Sequence, residues 1–244
     1  MVSIIMPVYN SEKYIGKAIN SIINQTYADW ELIVINDASE DKSLKIIEGY
    51  LDKRIKIIKN EVNMGVAISR NKGIQIASGR YIAFIDSDDC WKKNKLEKQI
   101  NFMEKENIAF SFSAYERIKF GKKVKIVKVP VVVDYNEILK NTIILNSTVV
   151  LDTFKINKDI INMPNLKVGE DNATWFKILR NGIKAYGYNE VLTEYNIRKK
   201  SLSSNKIKNV IQMWQTYKQN EKLSFFKRIT NLIMYIYNAI IKRI

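Results

Sequence analysis

Short apolar runs recur along the first 112 residues, and each has the length of a buried β-strand. Each run holds four or five mostly apolar residues, too few for a helix of ordinary length, and polar or turn-forming residues follow it. The runs occupy residues 2–6, 31–35, 55–58, 81–85 and 108–112. Nearly unbroken apolar strands are typical of a parallel sheet that is covered on both faces.

The segments between these strands have the spacing of amphipathic helices. The clearest apolar face consists of Ile15, Ala18, Ile19, Ile22 and Ile23. These positions follow an i, i+3, i+4, i+7, i+8 pattern, which is one face of a helix, and thinner repeats follow at 44–51 and 96–103. Strand and helix therefore alternate through residue 112. This predicts an α/β fold, with a mostly parallel sheet, right-handed crossovers and helices on both faces.

Polar residues directly follow three of the predicted strands, at positions 7–10, 36–39 and 86–89. In open α/β sheets, ligands bind beyond the carboxyl ends of the strands. We therefore expect Asp37 and the acids at 86–89 to converge on one rim. Taken alone, Asp37 is equally compatible with a helix cap.

The pattern loosens after residue 113. Apolar segments predict further strands at 124–133 (broken near Pro130), 146–152, 184–188 and 191–197. Asp134 and Glu137 have the spacing of a capping box. A helix is predicted over 169–182, with acids at its start and Gly182 just past its end.

The last 23 residues, 222–244, contain no acid and five Lys or Arg residues. Their apolar block, 229–241, would span about 20 Å as a helix, which is short of a bilayer core of about 30 Å. A basic helix with large apolar residues is typical of a segment that lies in a membrane interface. The alternative is a helix that packs on the domain or on a partner chain.

Composition narrows the chemistry. The chain of 244 residues has no histidine, which excludes Ser-His-Asp and Cys-His relays and the usual His-containing zinc sites. Any general base is then a carboxylate, lysine, tyrosine or thiolate. The one cysteine, Cys90, excludes an intrachain disulfide and favours a reducing compartment. Because acids precede it, we expect a raised pKa and a packing role for Cys90.

The net charge is +15 and the pI about 9.6, which favours an anionic partner such as nucleic acid, a membrane surface or a phosphorylated substrate. Nucleic acid is disfavoured, because acids at the predicted rim would repel its phosphates and no nucleic-acid module is recognisable. The first ten residues lack a basic n-region, so we expect a strand there rather than a signal peptide.

Two groups of carboxylates are candidates for chemistry. Asp86, Asp88 and Asp89 end a buried strand within four positions, so they raise one another's pKa unless a cation neutralises them. Oxygen donors of this kind suit Mg²⁺ or Mn²⁺ together with a substrate phosphate. Glu170 and Asp171 are the second group: one of them is a candidate base, and the alternative is an interaction with the helix dipole.

Taken together, these stretches resemble the glycosyltransferase family 2 enzymes. The matching stretches are "VSIIMPVYN" at the start, "ELIVINDASED" (31–41), "NMGVAISRNKGIQIASGRYIAFIDSDD" (63–89), "GEDNATWFKIL" (169–179) and "YNIRKKSLS" (195–203). The resemblance implies a GT-A fold and inverting transfer of a sugar from a nucleotide diphosphate. It also implies a catalytic domain over 1–203, with a nucleotide-sugar half (1–113) and an acceptor half (114–203), followed by a basic helical tail (204–244).

The resemblance also implies roles for individual residues. Those implied to contact the nucleotide-sugar are Pro7, Val8 and Tyr9 around the base and ribose, Asp37 on the base (uracil), Arg70 near the base or phosphates, and Asp86 and Ser87 on the ribose side. Asp88 would ligate Mn²⁺ or Mg²⁺ bound to the diphosphate. Asp171 would be the general base for the acceptor hydroxyl, with Glu170 beside it.

The sequence departs from the family pattern at two places. Asn36 and Ala38 replace an acid and a glycine, and Arg198 stands where many relatives have a histidine. Arginine does not ligate a cation but binds phosphate through two N–H groups, so we hypothesise that Arg198 stabilises the leaving diphosphate.

The implied function is transfer from a UDP-sugar to a glycan or lipid-linked glycan in bacterial surface polysaccharide or lipooligosaccharide synthesis. We expect this at the cytoplasmic face of the cell membrane. The alternative is a catalytically silent relative that binds nucleotide-sugar or acts as a scaffold.

Overall fold

The computed structural model describes residues 1–198 and 206–241. The strands in these ranges are β1 (Val2–Val8), β2 (Trp30–Asn36), β3 (Ile55–Lys59), β4 (Tyr81–Phe84), β5 (Cys90–Trp91), β6 (Phe110–Lys119), β7 (Lys122–Val127), β8 (Val132–Val133), β9 (Val150–Asp152) and β10 (Ala185–Asn196). They form one sheet in the order β3-β2-β1-β4-β9-β6-β10-β5, with β7 beside β6 and β8 beside β10.

The helices in the same ranges surround this sheet. They are α1 (Ile15–Ile23), α2 (Ser43–Glu48), α3 (Val66–Ile76), α4 (Lys95–Lys105), α5 (Tyr135–Lys140), α6 (Lys158–Ile161), α7 (Glu170–Arg180), α8 (Lys206–Gln219) and α9 (Phe225–Ile241). The predicted apolar face of α1 is confirmed, because Ile15, Ala18, Ile19 and Ile22 are all buried.

The strands β3, β2, β1 and β4 pair in parallel, as predicted, and β6 and β10 run in the same direction. Adjacent residues of β1 point to opposite faces of the sheet and into separate hydrophobic clusters. Ile4 belongs to one cluster and Ile5 to the other. Both faces are therefore covered, which explains why these strands show apolar runs rather than alternation.

The close approach of α3 to the sheet requires a glycine at position 73. A Cβ atom there would lie 2.7 Å from Cγ2 of Ile5 and 3.0 Å from Cδ1 of Ile35. Arg70 precedes Gly73 by about one helical turn and is buried on the same side of α3. The glycine thus lets α3 carry a guanidinium into the interior, beside the carboxyl ends of the strands.

The predicted strand over 146–152 is only partly realised. Asn146–Thr148 form a 3-10 turn, and β9 is confined to Val150–Asp152. β9 lies antiparallel between β4 and β6, so the strand predicted at 108–112 is not a direct neighbour of β4. Asp152 is buried and accepts a 2.8 Å ion pair from Arg80, which holds the short strand against the start of β4.

The other predictions for the second half differ in detail. The segments 184–188 and 191–197 form one strand, β10, whose pairing with β6 is interrupted by two register shifts. The predicted strand over 124–133 divides into β7 and β8 on either side of Pro130, which has no backbone N–H for the ladder. The capping box of Asp134 and Glu137 is confirmed at the start of α5.

The C-terminal helices pack on the domain through part of their surface. Tyr217 of α8 is fully buried, stacks on Phe176 at 6.1 Å between ring centroids, and donates a hydrogen bond to the Leu139 carbonyl. α9 contacts α5 and α8. Its outer face exposes large apolar side chains, among them Phe226, Ile233, Met234, Tyr237 and Ile240. No helix within 1–198 or 206–241 is long and apolar enough to cross a membrane.

Candidate active site

The loops that follow β1, β2 and β4 meet at one rim. The backbone N–H of Asp37 donates to the Val8 carbonyl at 2.8 Å, which joins the first two loops. The hydroxyl oxygens of Ser11 and Ser87 lie 2.7 Å apart, which joins the first loop to the third. The residues predicted for the base pocket are in place at this rim: Pro7 and Val8 buried at the end of β1, and Tyr9 46% exposed just beyond it.

Asp37 organises the loop that enters α3. Its Oδ1 accepts hydrogen bonds from Asn60 Nδ2 at 2.7 Å and from the Met64 N–H at 2.9 Å, and its Oδ2 accepts one from the Gly65 N–H at 2.9 Å. Asp37 is 3% exposed. These contacts show a structural role, and the hydrogen bond to the base stays a prediction.

Arg70 bridges two carboxylates that are far apart in sequence. Its Nη2 lies 2.6 Å from Asp86 Oδ1, and its Nη1 lies 2.6 Å from Glu170 Oε1. Burial disfavours the charge, but Asp86, Glu170 and Asp171 together raise the pKa of Arg70. The guanidinium therefore joins the end of β4 to the start of α7. Its predicted place near the base or phosphates stays a prediction.

The acids after β4 have different surroundings. The Asp86 side chain is 32% exposed and that of Asp88 is 18% exposed. Nε of Arg198 forms an ion pair with Asp88, and the Arg198 guanidinium lies 4.5 Å over the Tyr14 ring. Burial and then Asp86 raise the pKa of Asp88 to about 6, although Arg198 opposes the shift. Arg198 and Asp88, predicted separately for the diphosphate, are thus brought into contact.

Asp89 is a structural anchor. It is fully buried and accepts a 2.6 Å hydrogen bond from Ser147 Oγ and a 2.9 Å hydrogen bond from the Asn196 N–H. Burial, Asp88 and Asp86 raise its pKa well above the usual range. Asp89 therefore holds the turn after β4 against the 3-10 turn and the end of β10.

Glu170 and Asp171 begin α7, directly after Gly169, whose φ of 80° is the left-handed conformation that favours glycine. Glu170 is buried on Arg70, whereas Asp171 is partly exposed. One Asp171 oxygen accepts a 2.7 Å hydrogen bond from the Asn172 N–H. Burial, Glu170 and Asp86 raise the pKa of Asp171 to about 7, against the opposing effect of Arg70. A carboxylate with this pKa is suited to accept a proton near neutral pH.

Comparison with known proteins decides the family. The family model described as "Glycosyl transferase family 2" matches residues 3–161. The chain belongs to this family. The TuaG glycosyltransferase of Bacillus subtilis (strain 168), assigned to teichuronic acid biosynthesis, is 41% identical over 248 residues, covering 100% of this chain and 98% of TuaG. The Escherichia coli UDP-Glc:alpha-D-GlcNAc-diphosphoundecaprenol beta-1,3-glucosyltransferase WfgD is 43% identical over 216 residues, covering 88% of this chain and 84% of WfgD.

Solved structures establish the fold of this family 2 glycosyltransferase as GT-A, as predicted. S. aureus TarS 1-349 in complex with UDP-GlcNAc has a TM-score of 0.75 and 24% identity, with 96% of this chain and 71% of TarS covered. The mannosyltransferase PcManGT from Pyrobaculum calidifontis, in complex with GDP-Man and Mn²⁺, has a TM-score of 0.73 and 18% identity, with 96% and 69% covered.

Asp86, Asp88 and Asp89 follow β4 in one turn, which we call the acidic turn. Its carboxylates fit a divalent cation that is shared with a substrate. The described residues contain no group of three or more acidic or cysteine side chains that would enclose a metal on their own. Mg²⁺ usually binds through one or two carboxylates, substrate phosphates and water. Burial and then Asp86 raise the pKa of Asp88 although Arg198 is paired with it, so a cation bound here would favour the charged form of Asp88. Asp88 would hold the ion at this position.

Sequence reasoning missed several residues of this rim. The Ser147 hydroxyl donates a hydrogen bond to Asp89 and accepts one from the Asp86 N–H at 3.0 Å. Its segment looked like a strand, so no local signal marked it. Ser11 and Tyr14 follow the first loop directly and could have been found by extending that motif. The raised pKa expected for Cys90 is found, because burial, Glu194 and Asp89 raise its pKa to about 11; its packing role stays a prediction.

Proposed function

We propose that this glycosyltransferase transfers a sugar from a UDP-sugar to a hydroxyl of a lipid-linked glycan, with inversion at the anomeric carbon. The observation that best supports this is the Asp171 carboxyl, which is partly exposed beside the rim and has a pKa raised to about 7. The sequence has no histidine, and this carboxylate meets the requirement for a base that operates near neutral pH.

The proposed step is a direct displacement at the anomeric carbon. The acceptor oxygen attacks the anomeric carbon, its proton passes to Asp171, and the bond between the anomeric carbon and the diphosphate oxygen breaks. The bonding electrons leave with UDP. Because attack and departure occur on opposite faces, an α-linked donor gives a β-linked product. Glu170 keeps Asp171 basic, and its ion pair with Arg70 holds the start of α7 in place.

The donor side must stabilise charge on the leaving diphosphate. Arg198 lies at the acidic turn, on Asp88 and over Tyr14, and its planar guanidinium suits bidentate binding of phosphate. A divalent cation on Asp88 would supply additional positive charge to the diphosphate when bound. Pro7, Val8, Tyr9 and Asp37 would surround the base and ribose, with Asp86 and Ser87 on the ribose side and Arg70 near the base or phosphates.

The choice of substrates is supported by the relatives. WfgD is named for UDP-Glc and a diphosphoundecaprenol acceptor, TuaG for teichuronic acid, and TarS was crystallised with UDP-GlcNAc. We propose the same classes here: a UDP-hexose or UDP-N-acetylhexosamine, and an acceptor in surface polysaccharide synthesis. Lipid-linked acceptors would place the enzyme at the inner face of the cell membrane.

The tail, 204–244, is proposed to contact that membrane. Phe226 is 80% exposed and Ile233 is 60% exposed on the outer face of α9, and the tail is basic. An apolar face flanked by cations is suited to an anionic bilayer surface. Phe226→Ser with Ile233→Ser should reduce sedimentation with phosphatidylglycerol vesicles. The matched control is Leu51→Ser with Val62→Ser, which removes exposed apolar side chains elsewhere; equal sedimentation of all three proteins would refute membrane contact by α9.

The activity is tested with a panel of UDP-sugars, by measuring UDP release with and without Mn²⁺. Asp171→Asn keeps the shape of the side chain but removes the base, so it should bind UDP like the wild type and lose transfer. If wild type and Asp171→Asn bind UDP equally and neither transfers any sugar of the panel to a lipid-linked acceptor, the chain is the silent relative instead.

The role of Arg198 has its own test. Arg198→Ala should weaken donor binding and lower kcat, and Arg198→Lys should restore part of the loss because it returns the charge without the planar fork. Unchanged activity and donor affinity in Arg198→Ala would show that this residue does not act on the diphosphate.

A further inference from the structure

A cavity lies between the β6–β7 hairpin, the end of α5 and the tail helix α9. Its volume is about 330 Å³, and Tyr115, Arg117, Lys125 and Lys128 of the hairpin and Tyr235 of α9 are among the residues that line it. This volume is in the range of small-molecule sites. We call this cavity the basic pocket.

The charge of the basic pocket is of one sign. Arg117 and Lys125 are directly opposite each other in the antiparallel pairing of β6 and β7, and like charges in that arrangement destabilise a sheet. Lys128 adds a third cation, and none of the ten described lining residues is acidic. Three cations that line one cavity suit a multiply charged anion, and the planar guanidinium is suited to phosphate oxygens.

The pocket also offers uncharged hydrogen-bond donors. Burial raises the pKa of Tyr115 to about 12, in spite of Arg117, so its phenol keeps its proton at neutral pH. Tyr235 faces the same cavity from α9, together with Asn141. Phenol and amide groups around a cationic centre can bind oxygens of a phosphate and hydroxyls of an attached sugar.

The basic pocket is connected to the acidic turn through β10. The rings of Tyr115 and Tyr195 are 6.1 Å apart, and Tyr195 is also the register partner of Arg117. The next residue, Asn196, donates its N–H to Asp89 of the acidic turn. A sugar attached to an anion in the pocket would therefore be close to the proposed site of transfer.

Exposed apolar side chains lie on two of the elements that line the pocket. Ile126 lines the cavity and is 44% exposed, and Ile236 and Ile240 of α9 are 36% and 56% exposed, next in sequence to the lining residues Tyr235 and Ala239. The hairpin and α9, which both contribute to the lining, thus also carry exposed apolar side chains. A ligand with an anionic head and a hydrocarbon chain matches both parts.

We propose that the basic pocket binds the diphosphate of a polyprenyl-diphosphate-linked acceptor, with the start of its isoprenoid chain along α9. The proposal rests on the proposed function, since it names the part of the acceptor that the enzyme holds while the sugar is transferred. Arg117 and Lys125 are then specificity-determining residues for the acceptor, separate from those for the donor.

Farnesyl diphosphate is the probe for the pocket, with farnesol, inorganic pyrophosphate and phosphatidylglycerol vesicles as comparisons. Arg117→Gln with Lys125→Gln removes two cations from the wall. Lys119→Gln with Lys122→Gln removes two exposed cations of the same hairpin outside the pocket, which makes it the matched control. Calorimetry measures binding of each probe and of UDP to the full chain at about 0.15 M salt, where unspecific attraction is screened, and thermal unfolding checks that both variants fold.

We expect the wild type to bind farnesyl diphosphate more tightly than pyrophosphate and to bind farnesol least. The pocket variant should bind farnesyl diphosphate at least about tenfold more weakly, since it lacks two charged hydrogen-bond donors to the diphosphate. The control should stay within about twofold, and UDP affinity should be the same in all three proteins.

The proposal is overturned if the wild type does not bind farnesyl diphosphate, if the pocket variant binds it as tightly as the wild type does, or if the control loses as much. Equal losses for farnesyl diphosphate and phosphatidylglycerol vesicles would assign the pocket to bulk phospholipid instead. Failure of the proposed function has a different signature: absent UDP binding and UDP release in the wild type, whatever the pocket binds.

Discussion

Arg70→Met tests whether one guanidinium holds the turn after β4 and the start of α7 together. The Arg70 side chain is 4% exposed, its partner Glu170 is 9% exposed, and the ion-pair distance is 2.6 Å. Removing Arg70 leaves the Glu170 charge buried without a partner, and such losses cost about 3–5 kcal/mol. The pair with Asp86 is 32% exposed on the acid side, so solvent screens it and it adds at most about 1 kcal/mol.

We therefore expect Arg70→Met to lose about 3–5 kcal/mol of unfolding free energy, or about 6–20 °C in Tm for a chain of this size. Urea unfolding followed by tryptophan fluorescence measures the loss, because Trp175 is fully buried with its ring centroid 5.2 Å from that of Phe110. Lys59→Met is the control, since its ion pair with Glu48 is exposed on both sides and should matter by less than about 1 kcal/mol.

The double variant Arg70→Met, Glu170→Met separates the ion pair from the packing of Arg70. Replacement of both partners by apolar side chains removes the unpaired charge, so it should recover most of the stability that the single variant loses. The reasoning fails if Arg70→Met unfolds within about 1 kcal/mol of the wild type, or if the double variant is no more stable than the single one.

Three further predictions concern the base, the thiol and the sheet. The proposed base, Asp171, would act as the carboxylate and has a pKa of about 7, so kcat/KM should rise with pH up to about 7, and Glu170→Gln should move this limb to lower pH. Cys90, with a pKa of about 11, should resist iodoacetamide at pH 8 until urea unfolds the chain. Gly73→Ala places a Cβ 2.7 Å from a core side chain, whereas Gly16→Ala has 3.6 Å of room; urea unfolding should find the former less stable by about 1–3 kcal/mol.

Features that depend on neighbouring residues could be predicted from the sequence. The parallel strands, α1, the capping box of Asp134 with Glu137 and the start of α7 all follow from local spacing. The convergence of the loops after β1, β2 and β4 also follows, because parallel strands bring their carboxyl ends to one edge. The apolar runs therefore predict the edge of the sheet at which the candidate site lies.

Features that depend on distant contacts could not be predicted in this way. The sequence around Arg70 predicted a place near the base or phosphates, but it gave no sign that Arg70 also joins Asp86 to Glu170, which lies 100 residues away in sequence. Nothing in the segment around Asp152 shows that Arg80 will hold a short antiparallel strand inside the sheet. The basic pocket is lined by residues of both α9 and the hairpin, which are far apart in sequence. From the sequence alone, its cations therefore indicated only a basic strand.

The position of Arg70 also bears on the order and mutual influence of the two substrates. Its charge lowers the pKa of Asp171, while its Nη2 is engaged by Asp86 on the donor side. In the proposed function, a nucleotide that places negative charge beside Asp86 would attract the same guanidinium, and the pKa of Asp171 would change with it. The two substrates would then influence each other's binding, so that in initial-rate measurements the KM of each would vary with the concentration of the other.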